Sequence, residues 1–271
     1  MTICLLCPGT VKIMDRQGGT PNNAAPWSDF DAEAYWKFNY DALLPEDVQI
    51  IERASNFLID ACGSRAPISN AVDVGAGTNL YPALLMLPWT ERIAFTEYVR
   101  ANIDWLNQNL AYAPDEWVWQ PYWDLVAGLP GYRDVEQPRC RLATNHEIRY
   151  ESIFELPRRA WGLGSMFFVA DGITSDEKEF ELAVRSFLGS LTPEAPFMMA
   201  FMEKSVGYDV AGVTFPAVEV TYESLTALLT RIPVTVTDVL QTDNSVRRLR
   251  PGYDGMFLVT GYVDERTDRS G

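Results

Sequence analysis

The feature that most narrows the fold is the hexapeptide Asp73 to Thr78, D-V-G-A-G-T, which closes a short apolar run and opens a helical pattern. Glycines at 75 and 77 let the backbone turn tightly and approach a ligand closely. Such a turn after the first strand of an α/β sheet faces the crevice where these sheets bind ligands. Around it, apolar spacing predicts a strand over 71–74, then a helix carrying Leu80, Leu84 and Leu85 that stops near Pro88. A strand over 92–96 and a helix over 100–110 follow. That order, β-turn-α-β-α, begins a parallel doubly wound sheet of the α/β class.

The flanks complete the pattern. A short helix is expected over 29–38, with Asp29 or Asp31 as its cap, and a second over 45–61 with Pro45 at a favoured first position. The stretch 112–141 holds Trp117, Trp119, Tyr122 and Trp123 among prolines and glycines, and reads as a crossover wrapping the sheet edge. Strands are expected over 146–150, 164–170 and 197–203, with a helix over 177–188. A helix over 221–229 precedes two β-rich runs, 234–239 and 256–262, with no helix between them, which predicts a terminal antiparallel hairpin. Residues 1–26 read as a loose tail whose first thirteen residues are expected to be either a start-site extension before Met14 or a disordered tail, 27–62 as an N-terminal helical segment, and 63–271 as the main domain.

Composition excludes several classes. The 271 residues carry 22 Lys and Arg against 37 Asp and Glu, a net charge of −15, which repels phosphate backbones and argues against nucleic acid as a partner. It favours cations, amines and a sulfonium among them. No apolar run is long enough to span a membrane, and residues 1–14 lack the basic and sustained apolar regions expected of a signal peptide. The four cysteines include one C-x-x-C at Cys4 and Cys7, and His146 is the single histidine. A zinc site needs about four ligands, so no metal is expected. Reduced cysteines in a cytoplasmic protein are the plain reading.

Glu97 stands twenty residues after Gly77, at the expected end of the second strand. An acid there can accept hydrogen bonds from the two hydroxyls of a ribose, so turn and acid together favour a nucleoside ligand. Leu80 occupies the place of a third glycine in the dinucleotide fingerprint, which weakens the rival reading of a nicotinamide-dependent oxidoreductase.

The sequence Asp73-V-G-A-G-T-N-L-Tyr81, then Phe95-T-E-Tyr98 with Asn102 downstream, resembles the nicotinamide/phenylethanolamine/thioether N-methyltransferase family of S-adenosylmethionine-dependent enzymes. Phe30, Tyr35 and Tyr40 match its upstream F-x-x-x-x-Y-x-x-x-x-Y, and Arg250-P-G-Y-D-G-M-F resembles its closing hairpin. The resemblance spans about residues 27–262 and implies a seven-strand Rossmann-like sheet with an N-terminal helical lid. It implies S-adenosyl-L-methionine as cofactor and a small amine or heteroaromatic acceptor methylated at nitrogen. Methylation at oxygen or sulfur, or a non-catalytic cofactor-binding protein of the same fold, are the alternatives.

Carried onto this chain, the resemblance places Asp73, Gly75, Gly77, Thr78 and Tyr81 with Tyr35 and Tyr40 around the methionine part of the cofactor. It places Glu97 on the ribose and Tyr98 and Asn102 on the adenosine. Tyr35 and Tyr40, five residues and about 140° apart on a regular helix, share one ligand only if the helix ends between them. Where the family brackets adenine with an acidic-hydrophobic pair, this chain has Ser152-Ile153, with Glu151 as the fallback. Asp171 and Glu203, at expected strand ends, are the acids expected to orient or deprotonate an amine, Glu203 by match to the family's acceptor-contacting acid. The stretch 205–219 reads as the acceptor loop: Tyr208 and Phe215 as walls, Asp209 and Glu219 for a second cation, with Trp161 as a further wall. Trp117, Trp119 and Trp123 are assigned to structure, and Arg247, Arg248 and Arg250 to solvated charge in a turn.

Overall fold

The computed structural model describes residues 19–111, 117–243 and 249–265. β1 (Ala71–Val74) is short and buried along its whole length, as a central strand covered on both faces must be. β2 (Ile93–Glu97) pairs parallel with it, β3 (His146–Tyr150) parallel with β2, and β4 (Leu163–Phe167) parallel with the other edge of β1. β5 (Pro196–Glu203) continues the parallel set beyond β4. The hairpin β6 (Gly207–Val210) and β7 (Val213–Pro216) stands apart as a separate two-stranded sheet. β8 (Val234–Gln241) and β9 (Gly255–Val263) form the expected antiparallel hairpin. β9 inserts between β5 and β8, so the seven-stranded order is β3-β2-β1-β4-β5-β9-β8.

Alternation along β5 shows how the sheet feeds two cores. Met198, Ala200 and Met202 face one layer, and Phe197, Met199 and Phe201 the other. The first layer holds α2 (Pro45–Cys62), α3 (Tyr81–Met86) and α4 (Arg100–Leu110); the second holds α7 (Glu177–Ser190) and α8 (Tyr222–Leu229). Caps fix the starts: Asp176 accepts from the amide of Lys178, and Thr221 with Ser224 forms a reciprocal capping box. The crossover contributes two short helices, α5 (Gln120–Asp124) and α6 (Pro138–Thr144).

The chain departs from expectation at its N-terminal side. α1 (Ala32–Tyr40), capped by Asp31, runs unbroken through both tyrosines, with no break between Tyr35 and Tyr40. Their rings still meet edge to face, centroids 6.3 Å apart, because Tyr40 is the last residue of α1 and both long side chains reach around the helix. Nor are residues 19–26 a loose tail: the backbone of Thr20 bonds to Ser175, and the amide of Asn22 to Glu179, tying this strap, which runs on to Trp27, to the β4–α7 connection and the first turn of α7. The C-x-x-C at Cys4 and Cys7, Met14, Arg247 and Arg248 lie outside the described residues. Among the described residues no helix is long and apolar enough to cross a membrane, and no cluster of metal-ligating side chains occurs.

Candidate functional site

The carboxyl ends of β1, β2 and β4 open into a cavity of about 830 Å³ with its open mouth included. The turn after β1 forms its floor. Gly75 and Gly77 adopt φ of +63° and +56°, the left-handed region where glycine is unstrained. A Cβ on Gly75 would lie 2.5 Å from Cγ1 of Val169, itself a wall residue, so the cradle excludes any side chain there.

Glu97 ends β2 on the same wall. The amides of Tyr98 and Val99 each donate to Oε1 at 2.7 Å, the amide of Gly77 donates to Oε2 at 2.9 Å, and the side-chain amide of Asn102 reaches Oε2 at 3.3 Å. Burial raises its pKa, and the amide donors of Val99, Gly77 and Tyr98 oppose the shift. The carboxylate is thus held in place before any ligand arrives.

Eleven of the expected residues line this cavity. Tyr35 and Tyr40 enter from α1, with Gly75, Gly77 and Thr78 on the floor. Glu97, Tyr98 and Asn102 form one side, Ser152 and Ile153 the far end, and Tyr208 the opposite wall. The fallback Glu151 lines it as well, its pKa raised by burial. Tyr98 stacks on Tyr150 with centroids 5.4 Å apart, a flat surface beside the Ser152-Ile153 end.

Other expected residues fall elsewhere. Asp73 lies under the turn, accepting a 2.7 Å bond from Ser165 in its β1–β4 register pair; burial lifts its pKa to about 8. It ties two strands and does not line the cavity. Tyr81 is also behind the wall, stacked on Tyr122 at 5.7 Å and edge-on to Tyr40. Asp171 is fully buried, accepts from the amide of Met202 at 3.0 Å, and has its pKa lifted to about 6 by burial. Glu203 is engaged by Gln241 at 2.8 Å and by Lys204 at 3.5 Å. Neither acid lines the cavity.

Phe215 is one layer back, stacked between Trp27 and Tyr208 at 5.2 and 5.4 Å. Glu219 is exposed, and Asp209 caps the hairpin turn through the amide of Gly212. Trp161 is a correction: it bridges to Leu191 before β4 and borders a separate cavity at the amino ends of the strands, the wrong end of the sheet for an acceptor. Trp119, assigned to structure, packs 5.8 Å from Tyr40 and so backs the cavity directly.

Several wall residues had no sequence signal of their own. Trp27 and Asn22 come from the strap, and Phe167, Phe168, Val169, Gly172 and Ile173 from the end of β4 and its loop. Asn79 is a further case: its side-chain nitrogen and the hydroxyl of Thr78 are buried without partners, two donors beside the glycine turn. Its place two residues before α3, where its side-chain oxygen accepts from the amide of Tyr81, was the available clue. Arg250 is the sharpest correction. It is not solvated charge: it is 5% exposed, donates to the Tyr35 hydroxyl at 2.7 Å, and lies 4.4 Å from the centroid of the Tyr208 ring.

The chain belongs to the NNMT/PNMT/TEMT family, whose sequence profile matches residues 22–262. It is therefore an S-adenosylmethionine-dependent methyltransferase. The fold is shared with magnesium protoporphyrin IX methyltransferase from Synechocystis PCC 6803, solved with bound S-adenosylmethionine (9% identity, 86% of this chain and 90% of that one, TM-score 0.53). It is shared equally with a putative sarcosine dimethylglycine methyltransferase from Galdieria sulphuraria (10% identity, 86% and 98%, TM-score 0.53). No curated protein sequence matches the chain.

The residues present fit the cofactor. A side-chain-free turn, a preset carboxylate and two unpartnered donors match the methionine backbone, the ribose and the methionine carboxylate of S-adenosylmethionine.

Proposed function

We propose that the protein methylates a nitrogen of a small, flat amine or heteroaromatic molecule. The observation that carries this reading is the aromatic lining of the cavity: Trp27, Phe30, Tyr35, Phe168 and Tyr208 all border it, and aromatic walls suit a flat acceptor. Bound along the Gly75–Gly77 turn, S-adenosylmethionine supplies a methyl group already activated by its sulfonium.

The protein's own work is alignment and exclusion of water. Glu97 and the glycine turn hold one ligand, the aromatic walls orient the other, and the strap residue Trp27 closes on Phe215 above them. Positioning of this kind supplies effective molarities of about 10⁵–10⁸ M. Because Asp171 and Glu203 stand off the cavity, the reading needs no general base on the wall: a weakly basic ring nitrogen or arylamine enters with its lone pair free, and any proton it sheds passes to water.

The test is calorimetric titration with S-adenosylhomocysteine, then mass spectrometry of a metabolite extract incubated with enzyme and S-adenosylmethionine. The expected result is micromolar-class binding and a gain of one CH₂ on a nitrogen-bearing compound. Methylation confined to oxygen or sulfur would refute the nitrogen assignment, and binding without any transfer would favour a cofactor-sensing protein.

A further inference from the structure

Asn22, Trp27, Phe30, Tyr35 and Tyr40, all from the strap and α1, line the cavity. α1 is loosely packed for a wall: three of its nine residues are buried, at its two ends, whereas α2 buries ten of eighteen. Its middle, Glu33 to Phe38, is half-buried or exposed. Segments with few buried contacts are the ones that open first in a folded protein. Two hydrogen bonds from the body reach the helix. The Tyr122 hydroxyl donates to the carbonyl of Tyr40 at 3.2 Å, and Nη2 of Arg250 donates to the Tyr35 hydroxyl at 2.7 Å. The second is charge-assisted and meets the loose middle. The arginine stands on a firm post, the tip between β8 and β9. There the amide of Val206 donates to the carbonyl of Pro251 at 3.2 Å, and a Cβ on Gly252 would lie 2.4 Å from the carbonyl oxygen of Lys204. The Tyr253 hydroxyl donates to the buried Glu46 of α2 at 3.1 Å. The guanidinium also rests against the Tyr208 ring, in electrostatic range of the buried Asp171 carboxyl. Neither of these belongs to α1, so they fix the arginine and leave its bond to Tyr35 as the link that can part.

We propose that Arg250 is a latch that holds α1 over the cavity, and that its parting from Tyr35 gates entry and release of the methyl donor. Arg250 does not line the cavity, so it is a positioning residue that acts through the Tyr35 wall. The proposal goes beyond the acceptor reading above and holds for any acceptor. Gating has a kinetic signature that a ligand contact lacks. Where a wall must open before exchange, association and dissociation both scale with the fraction of open molecules, and their ratio stays constant. Loss of a direct contact speeds dissociation, leaves association in place and weakens binding by the same factor. 5′-Methylthioadenosine marks the difference further, because it keeps the nucleoside and lacks the ammonium and carboxylate of the methionine part.

The test joins hydrogen exchange of the ligand-free protein to stopped-flow tryptophan fluorescence with S-adenosylhomocysteine, in wild type, Arg250→Met, Arg250→Lys, Tyr35→Phe and the Arg250→Met/Tyr35→Phe double variant. Loss of one charged hydrogen bond in Arg250→Met should speed exchange of the α1 amides by about fivefold or more, with α2 and α7 as protected as in wild type. Tyr35→Phe keeps the ring and removes only the hydroxyl; it should do the same, and the double variant should add nothing further. Arg250→Lys keeps a charged donor on the same post and should fall between. In Arg250→Met both the association and the dissociation rate of S-adenosylhomocysteine should rise about fivefold, with Kd within about twofold. Unchanged α1 exchange in Arg250→Met and Tyr35→Phe, additive effects in the double variant, or faster dissociation at an unchanged association rate each overturns the latch. The last result, with 5′-methylthioadenosine affinity intact, would assign the arginine's effect to a contact with the methionine part instead. Tyr35→Phe and Arg250→Lys decide the matter if Arg250→Met does not fold, and the exchange measurement needs no ligand, so it reads the latch whatever the acceptor is.

Discussion

The amide of Gly77 donates to Oε2 of Glu97 across 2.9 Å, so the turn after β1 and the acid after β2 act as one unit although twenty residues separate them. Removing the carboxylate therefore has two consequences. Glu97→Ala leaves the amides of Gly77, Tyr98 and Val99 without an acceptor and takes away the acid proposed to hold the ribose. With charge-assisted bonds contributing about 1.5–3 kcal/mol, S-adenosylhomocysteine affinity should fall roughly 10–100-fold. Calorimetry giving an unchanged Kd would remove Glu97 from the donor site.

The two glycines of the turn should respond differently to alanine. Gly75→Ala drives a Cβ to 2.5 Å from Val169 and adds left-handed strain; at Gly77 the nearest atom would be 3.7 Å away and only strain remains. Gly77→Ala is expected to cost about 1–2 kcal/mol and Gly75→Ala clearly more, together with loss of cofactor binding. Urea unfolding of both variants checks the order, and equal midpoints would contradict the close approach.

Stability should fall as pH rises. Asp171, Asp47 and Asp73 are fully buried, and burial lifts their pKa values to about 6, 7 and 8. Each holds its proton in the folded chain at pH values where the unfolded chain has released it, so the contribution is complete below about pH 4 and is lost on passing through the folded pKa. At about 1.4 kcal/mol per unit, Asp171 alone accounts for roughly 3 kcal/mol between pH 4 and 7. Urea midpoints at pH 5 and pH 8.5 test this. Asp171→Asn should flatten the slope, and a midpoint that rises with pH would show that these acids are ionised in the native state.

Two substitutions separate the acceptor side from its surroundings. Glu203→Gln removes a carboxylate that faces Gln241 and Lys204, and Trp161→Phe alters a ring at the other end of the sheet. Both should leave kcat/KM within about threefold, whereas Tyr208→Ala, which empties a cavity wall, should lower it at least tenfold. A large loss of kcat in Glu203→Gln would restore that acid to the reacting centre.

The centre of the sheet was legible because β1, β2 and β4 are short, mostly apolar runs buried along their whole length, and because the turn and Glu97 keep a spacing set by one β-α-β step. What escaped was decided by tertiary contacts. Arg250 follows Arg247 and Arg248 in a run that reads as surface charge, and its burial depends on Tyr35 lying 215 positions upstream. The β6–β7 hairpin left a signal that was passed over: Ala211-Gly212, with φ of +51° and +87°, is the two-residue turn that alternating apolar residues on either side should suggest. Trp161 was placed by aromatic character alone, which cannot tell one end of a strand from the other.

β9 lies between β5 and β8, so the tip that carries Arg250 joins the sheet late in the chain, on the far side of β4 from the turn that meets Glu97. Arg250 with its two tyrosines, and the turn with Glu97, are consequently built from segments that share no residues, so a sequence change in one leaves the contacts of the other in place.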